Sequence, residues 1–430
     1  MVESSELNAP SGNEARAPKS LIALVLFVSL MDTLGFGIML PTLPFYARSL
    51  GAGPELITFA MAVFTLGLFI STPLWGRASD RFGRKPIILI GLSGSILCYV
   101  ALAYSESVLV VVGARLVGGL MAGNLSACTA YLVDITSEEE RAGVMGLGGA
   151  VFGLGFVLGP LLGSVLAGDS FGDSDFAAPA LTAAGLSTSA LLAVFLLLPE
   201  SRDADTRREA MAATAIRRER GFAERIRGLG RPILILTLCA SLFGVASGFY
   251  ETILPLWAAD FALIDGPDAM WMFFLPTGLA LIFVQGALVG PLTARYGEPS
   301  MIRVAALFLA IATGAMTLAG NAGNLPAAIT VSGVMAAFAG VIMAGTHILA
   351  SKLAREDERG EVLGLFSSLT TLSRSLGMVA SGFLYELLHP HAPYWMASVF
   401  FLLTMVVAIR LDGAPAPATA SVGTEGPAEV

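Results

Sequence analysis

Twelve apolar runs, each long enough to cross a lipid bilayer, leave this 430-residue chain little other way to fold. They lie near 21–45, 56–76, 87–104, 108–132, 143–167, 177–198, 233–258, 270–291, 302–319, 326–350, 362–385 and 395–411. About 20 apolar residues span the hydrocarbon core, where every backbone N–H and C=O must be satisfied within the protein. The runs are continuous rather than alternating, so they predict helices and not the strands of a barrel. With 55% hydrophobic and 13% charged residues, the chain carries about half the charge of a soluble domain. A water-soluble enzyme is excluded, and the fold class expected is an all-α polytopic membrane protein.

Other classes fall away for separate reasons. Cys98, Cys128 and Cys239 each sit inside an apolar run, so neither a disulfide framework nor a metal site is implied. A formal charge of −8 without a basic stripe argues against nucleic acid as a partner. No Gly-x-x-x-x-Gly-Lys-Ser/Thr loop occurs, which leaves an ion gradient as the energy source. A polytopic membrane enzyme would need convergent nucleophiles or metal ligands, which the three histidines and three cysteines do not supply. A receptor or scaffold would carry a folded extramembrane domain. No cofactor is implied.

The run at 21–45 is too long for a signal-peptide core and reads as a retained anchor. Of the 25 Lys and Arg residues, 22 lie on the N-terminus, the even-numbered loops and the tail, whereas the odd-numbered loops hold Arg48 alone. The positive-inside rule then places both termini in the cytoplasm. The expected organisation is a cytoplasmic segment 1–20, six helices over 21–198, a cytoplasmic linker 199–232, six helices over 233–411, and a disordered tail 412–430. Arg217, Arg218 and Arg220 in the linker read either as a lipid-binding patch or as topology determinants. Arginine outnumbers lysine 22 to 3, a codon-bias hint of a bacterium and hence of a bacterial inner membrane as the site of residence.

The halves repeat. Gly76, Asp80, Arg81, Gly83, Arg84 and Lys85 follow the second run, and Gly290, Arg295, Gly297 and Glu298 follow the eighth, with glycines and arginine recurring at an offset of 214. Glu140, Arg141 and Gly146 recur as Glu358, Arg359 and Gly364 at an offset of 218. Duplicated six-span halves suit a transporter whose site lies at the midplane between them. The loop from Gly76 to Lys85 resembles the signature loop of the major facilitator superfamily, departing at Ala78 where the family has leucine. The resemblance implies that fold, a monomer, and a latch in which Asp80 sits at the amino end of helix eleven and Arg84 pairs with Asp134. Both latch contacts are expected to form with the cytoplasmic side closed.

The fifth run holds Gly155, Gly159, Pro160 and Gly163, a pattern similar to the motif of proton-coupled drug antiporters. Small residues four apart let helices approach closely, and proline kinks a helix. At the 218 offset these positions become Ser373, Gly377, Met378 and Ser381. Asp32 and Gly35, then Pro41 and Pro44, and Arg115 with Gly119 are also similar to drug-antiporter motifs, and Tyr131 to Arg141 resembles the tetracycline-resistance exporters. Tyr250, Glu251, Pro255 and Trp257 are similar to the vesicular monoamine transporters, which implies that Glu251 couples to protons.

Charged residues in mid-membrane mark pathways by default, and four qualify: Asp32, Arg115, Glu251 and Arg374. Asp32, near the middle of its span, is the expected proton carrier; the alternative is a carboxylate permanently paired with an arginine. Glu251 lies roughly 10 Å from the outer end of its span at 1.5 Å per residue, either facing the cavity or snorkelling to the outer surface. The family resemblance implies that Arg115 faces the first span, where its permanent charge tunes the acid without carrying a proton. Arg374 either anchors a carboxylate or contacts substrate. Asn124, Tyr250, Trp257 and Gln285 are candidate cavity contacts, and His347 reads as packing or as a titrating group. The function expected is proton-coupled export of drugs or other small amphipathic molecules by alternating-access antiport. Its alternatives are a dedicated exporter of a sugar, siderophore or self-made antibiotic, and a proton symporter.

Overall fold

The computed structural model describes residues 19–168, 176–201, 230–354 and 359–411. Twelve helices long and apolar enough to cross a membrane occupy them: α1 (Lys19–Ser49), α2 (Pro54–Phe82), α3 (Arg84–Ala103), α4 (Val108–Ile135), α5 (Glu138–Leu166), α6 (Ala177–Leu197), α7 (Arg231–Asp260), α8 (Asp268–Tyr296), α9 (Glu298–Asn321), α10 (Leu325–Leu353), α11 (Arg359–Leu387) and α12 (Ala392–Leu411). The expectations for residues 1–18, for most of the linker including Arg217, Arg218 and Arg220, and for the tail 412–430 fall outside the described residues.

The helices outrun their apolar stretches because a helix ends where its backbone is capped, not where the hydrocarbon ends. Proline in the first turn opens α2, α7, α9, α10 and α12, where its missing N–H costs no helical bond. Ser137 caps α5 through the Glu140 N–H, and three glutamates fill the first turn, favoured by the helix dipole. Gly83 ends α2 at φ +103°, and Gly297, 214 residues later, ends α8 at φ +72°. Both positions demand a residue without Cβ strain.

Helix α1 packs on α5 and α6, α2 on α4, and α3 on α4 and α6; α7 packs on α11 and α12, α9 on α10 and α12, and α8 on α10. The first six and last six helices thus pack mainly among themselves and meet through α2 with α11 and α5 with α8. The α1–α5 seam is built by the small-residue motif: a Cβ on Gly159 would lie 2.7 Å from the Gly37 Cα, and one on Gly163 2.3 Å from the Ile38 carbonyl oxygen. The α7–α11 seam is equally close but divides its small residues between both helices. There, a Cβ on Gly377 would meet the Val245 carbonyl at 2.2 Å and one on Gly248 the Arg374 carbonyl at 2.3 Å, while Ser381 donates to the Phe249 carbonyl at 2.7 Å.

Contact between the two sets gathers at the face that carries the α1–α2 and α7–α8 loops. Arg48 pairs with Asp260 at 2.6 Å, Tyr385 donates to the other Asp260 oxygen at 2.6 Å, and Gly382 sits against Pro54, Glu55 and Thr58. Nearer mid-helix, Gly278 of α8 abuts Val157 of α5. Toward the opposite face, Gly146 and Gly149 of α5, Gly286 and Gly290 of α8, and Gly360 and Gly364 of α11 border open space.

Candidate functional site

Asp32 and Phe36, one helical turn apart on α1, share a cavity with Phe64 of α2, Ser95 and Tyr99 of α3, and Arg115 of α4. Spacings of three and four residues bring side chains to one helix face, which is why Ser95 and Tyr99 line it together. The cavity has about 20 Å³ open to the centre of a water molecule, roughly the room for one bound water. Helix α4 breaks into a 3-10 turn at Ala122–Asn124 just beyond Arg115. Side chains of α2 take up carbonyls at that break: Ser71 donates to Gly119 at 3.1 Å and Trp75 to Leu120 at 2.5 Å. That local fit fixes α4 against α2 and so holds Arg115 in place.

Arg115 is only 3% exposed. Its guanidinium carbon lies 4.1 Å from the Phe64 ring centre and 5.9 Å from that of Phe36, a cation–π arrangement. The nearer ring, Phe64, belongs to α2 and the farther, Phe36, to α1. Among the described residues no ion pair joins it to Asp32, and its Nε lacks a hydrogen-bond partner. The permanently paired aspartate is not what the structure contains.

Glu251 is instead the paired acid. It accepts hydrogen bonds from Arg374 of α11 and, at 3.3 Å, from the Tyr250 hydroxyl. Arg374 thus anchors a carboxylate, and Glu251 does not snorkel to the outer surface. Side-chain exposures of 33% and 38% leave the pair open to the space between the two sets.

Two expected cavity contacts are corrected. Trp257 is fully buried, donating from Nε1 to His391 Nδ1 at 2.9 Å and packing on Tyr394 and Gly320, so it is core to the last six helices. Asn124 is 1% exposed and wedged against Gly91 of α3, filling the gap left by a missing side chain. Gln285 is exposed on a π turn, Val284–Leu288, beside Gly340 of α10. His347 stands edge-on to Phe366, a packing contact. Phe36, Phe64 and Tyr99 were not among the expected site residues. Phe36 carried a signal, its spacing of four from Asp32; the other two carried none.

At the face opposite the α1–α2 loop, Arg84 bonds Asp134 at 2.9 Å, Asp80 at 2.9 Å and Ser79 at 2.5 Å. The Arg84–Asp134 contact joins α3 to α4 within the first six helices. Glu200, beyond α6, accepts the backbone N–H groups of Arg84 and Lys85 at 2.8 and 3.3 Å, capping α3 with a carboxylate. Arg81 is exposed over Phe82, and Gly76 borders open space. In the last six helices the buried Glu298 opens α9 and pairs with Lys352 at the end of α10, 2.5 Å away. Glu298 and Lys352 stand at the 214 and 218 offsets from Arg84 and Asp134. The repeat keeps the ion pair and inverts its polarity.

With this geometry in hand, comparison with known proteins is informative. A family model described as Major Facilitator Superfamily matches residues 25–332 and 236–429. The chain is 24% identical over 397 residues to a tetracycline resistance protein, class H, of Pasteurella multocida, covering 91% of this chain and 95% of that protein. It is 27% identical over 407 residues to multidrug resistance protein 2 of Bacillus subtilis, covering 90% and 95%. Its fold matches the crystal structure of the human organic anion transporter MFSD10 with a TM-score of 0.60 at 24% identity, over 93% of this chain and 100% of that one.

Proposed function

The chain belongs to the Major Facilitator Superfamily, and on that premise we propose that it exports drugs or other small amphipathic molecules in exchange for protons. In this reading residues 21–198 and 233–411 are two pseudo-symmetric six-helix bundles in a bacterial inner membrane, with both termini cytoplasmic and a single copy sufficing. The face that carries Arg84 and Asp134 is then the cytoplasmic one.

One observation carries the reading: Asp32 is a mid-membrane carboxylate with no ion-pair partner among the described residues, set in a cavity with a fixed positive charge. A proton carrier must change charge during the cycle, and a carboxylate already held by an arginine is poorly suited to that. Asp32 gives up its proton to the cytoplasm as substrate enters and takes one from outside after the bundles rock, which releases the substrate outward. Arg115 stays charged throughout and biases Asp32 without exchanging a proton. Glu251 and Arg374 neutralise each other, with Tyr250 beside them. Asp80, Arg81 and Arg84, with Gly76 and Gly83, form the cytoplasmic latch with Asp134.

Inverted vesicles energised to an acidic interior, with a pH dye, test this. Addition of tetracyclines or ethidium should release protons from wild-type vesicles and not from Asp32→Asn vesicles. Proton release retained in Asp32→Asn would refute the assignment of Asp32.

A further inference from the structure

We propose that Arg115 anchors the acidic oxygen of the substrate, so that the preferred ligand is an aromatic amphipath bearing a carboxylate. The inference rests on the transport reading above and adds the ligand's chemistry to it. A guanidinium removed from water needs an anion and in-plane hydrogen-bond acceptors. Arg115 is 97% buried by the complement of its 3% exposure, and among the described residues it makes no ion pair or hydrogen bond. Phe64 and Phe36 occupy its neighbourhood as aromatic walls. Rings there satisfy the positive face and leave the N–H edge for an acceptor lying in the guanidinium plane, the geometry in which arginine holds carboxylates.

The other charges do not meet this need. Glu251 is committed to Arg374, and the residues that line the cavity come from α1 to α4. Asp32 shares the cavity, but no ion pair joins it to Arg115. The hydroxyls of Ser95 and Tyr99 line the same space and offer donors to a second oxygen. Asp32, Phe36 and Ala122, the half-buried members of the lining, mark the mouth through which the ring system of a ligand would extend between the aromatic side chains.

A matched pair of probes separates this idea from the reading beneath it. Tetramethylrhodamine is a zwitterion with a free carboxylate; its methyl ester keeps the cationic ring system and masks that carboxylate. Binding of each to the purified protein in nanodiscs is followed by fluorescence anisotropy, for the wild type, Arg115→Gln and Arg115→Lys. Wild-type protein should bind the acid more tightly than the ester. A charged hydrogen-bonded pair changes affinity by about 10- to 100-fold, and Arg115→Gln should lose that much for the acid while the ester shifts less than about threefold. Arg115→Lys, which keeps the charge but not the fork, should fall between and serves if the glutamine variant does not fold. Equal wild-type affinity for acid and ester, or equal losses for both on substitution, overturns the anchor and leaves the transport reading standing. Neither probe binding, together with no proton release on addition of any amphipath to vesicles, overturns the transport reading itself.

Discussion

Substituting Glu251 and Arg374, singly and together, separates a structural ion pair from a second proton carrier. Two unit charges 4 Å apart attract by about 1 kcal/mol in water and about 4 kcal/mol at an effective dielectric of 20. With side-chain exposures of 33% and 38%, solvent screens the pair toward the lower figure, and about 1–2 kcal/mol of coupling is expected. Glu251→Gln leaves a guanidinium whose Nε already lacks a partner, so the single variant loses the pair and strands a charge. Arg374→Gln strands the carboxylate in the same way. The double variant removes both charges, and its loss should be smaller than the sum of the single losses by that 1–2 kcal/mol. Denaturation midpoints of the four proteins in mixed micelles supply the cycle, with proton exchange measured in parallel in vesicles. Additivity within about 0.3 kcal/mol would refute the pairing. Abolished proton exchange in Glu251→Gln with unchanged stability would make Glu251 a titrating carrier instead.

Three further outcomes follow from the geometry. Gly163→Ala places a Cβ 2.3 Å from the Ile38 carbonyl, so α1 and α5 must separate; a loss of about 1–3 kcal/mol is expected, read as a lower melting temperature, whereas the same change at Gly148, which borders open space, should be nearly neutral. Reversing Glu298→Lys or Lys352→Glu alone should lower the melting temperature, and the double reversal, which copies the polarity of Arg84 and Asp134, should restore most of it; a double variant no better than the singles would mean the pair contributes nothing. His391, outside the spans, is pushed down to about 4 from 6.5 by its burial and by the neighbouring His389. Between those values the unfolded chain takes up a proton that the folded one refuses, so stability should fall as pH drops from about 6.5 toward 4 and stay flat above; His391→Asn should flatten the slope, and an unchanged slope would assign it elsewhere.

Hydropathy counted the spans because it averages over a whole helix, and twelve such averages need no knowledge of neighbours. It could not tell which face of a span meets the cavity. Trp257 illustrates the limit: its burial depends on Gly320 of α9 and on His391 beyond α11, contacts remote in sequence. Asn124 misled in the same way, since a polar residue in an apolar run looks like a ligand contact until the gap beside Gly91 is seen. The four mid-span charges were legible as a group, but their partnership was not: Glu251 and Arg374 stand 123 residues apart, and no spacing rule joins them. The 3-10 turn in α4 and the π turn in α8 left no mark that periodicity could register, because each shifts the helical phase within a single turn.

The seal between Arg48, Asp260 and Tyr385 has a consequence for biogenesis. In the orientation proposed here Arg48 is carried across the membrane during insertion, against the rule that keeps basic residues on the cytoplasmic side. Each further arginine added to strengthen that seal would weaken the signal that orients the nascent chain. Tyr385 escapes this conflict: a phenol supplies a second donor to Asp260 while adding no charge for the insertion machinery to translocate. Strength at the outer gate is thus limited by how the protein enters the bilayer as much as by how it works once there.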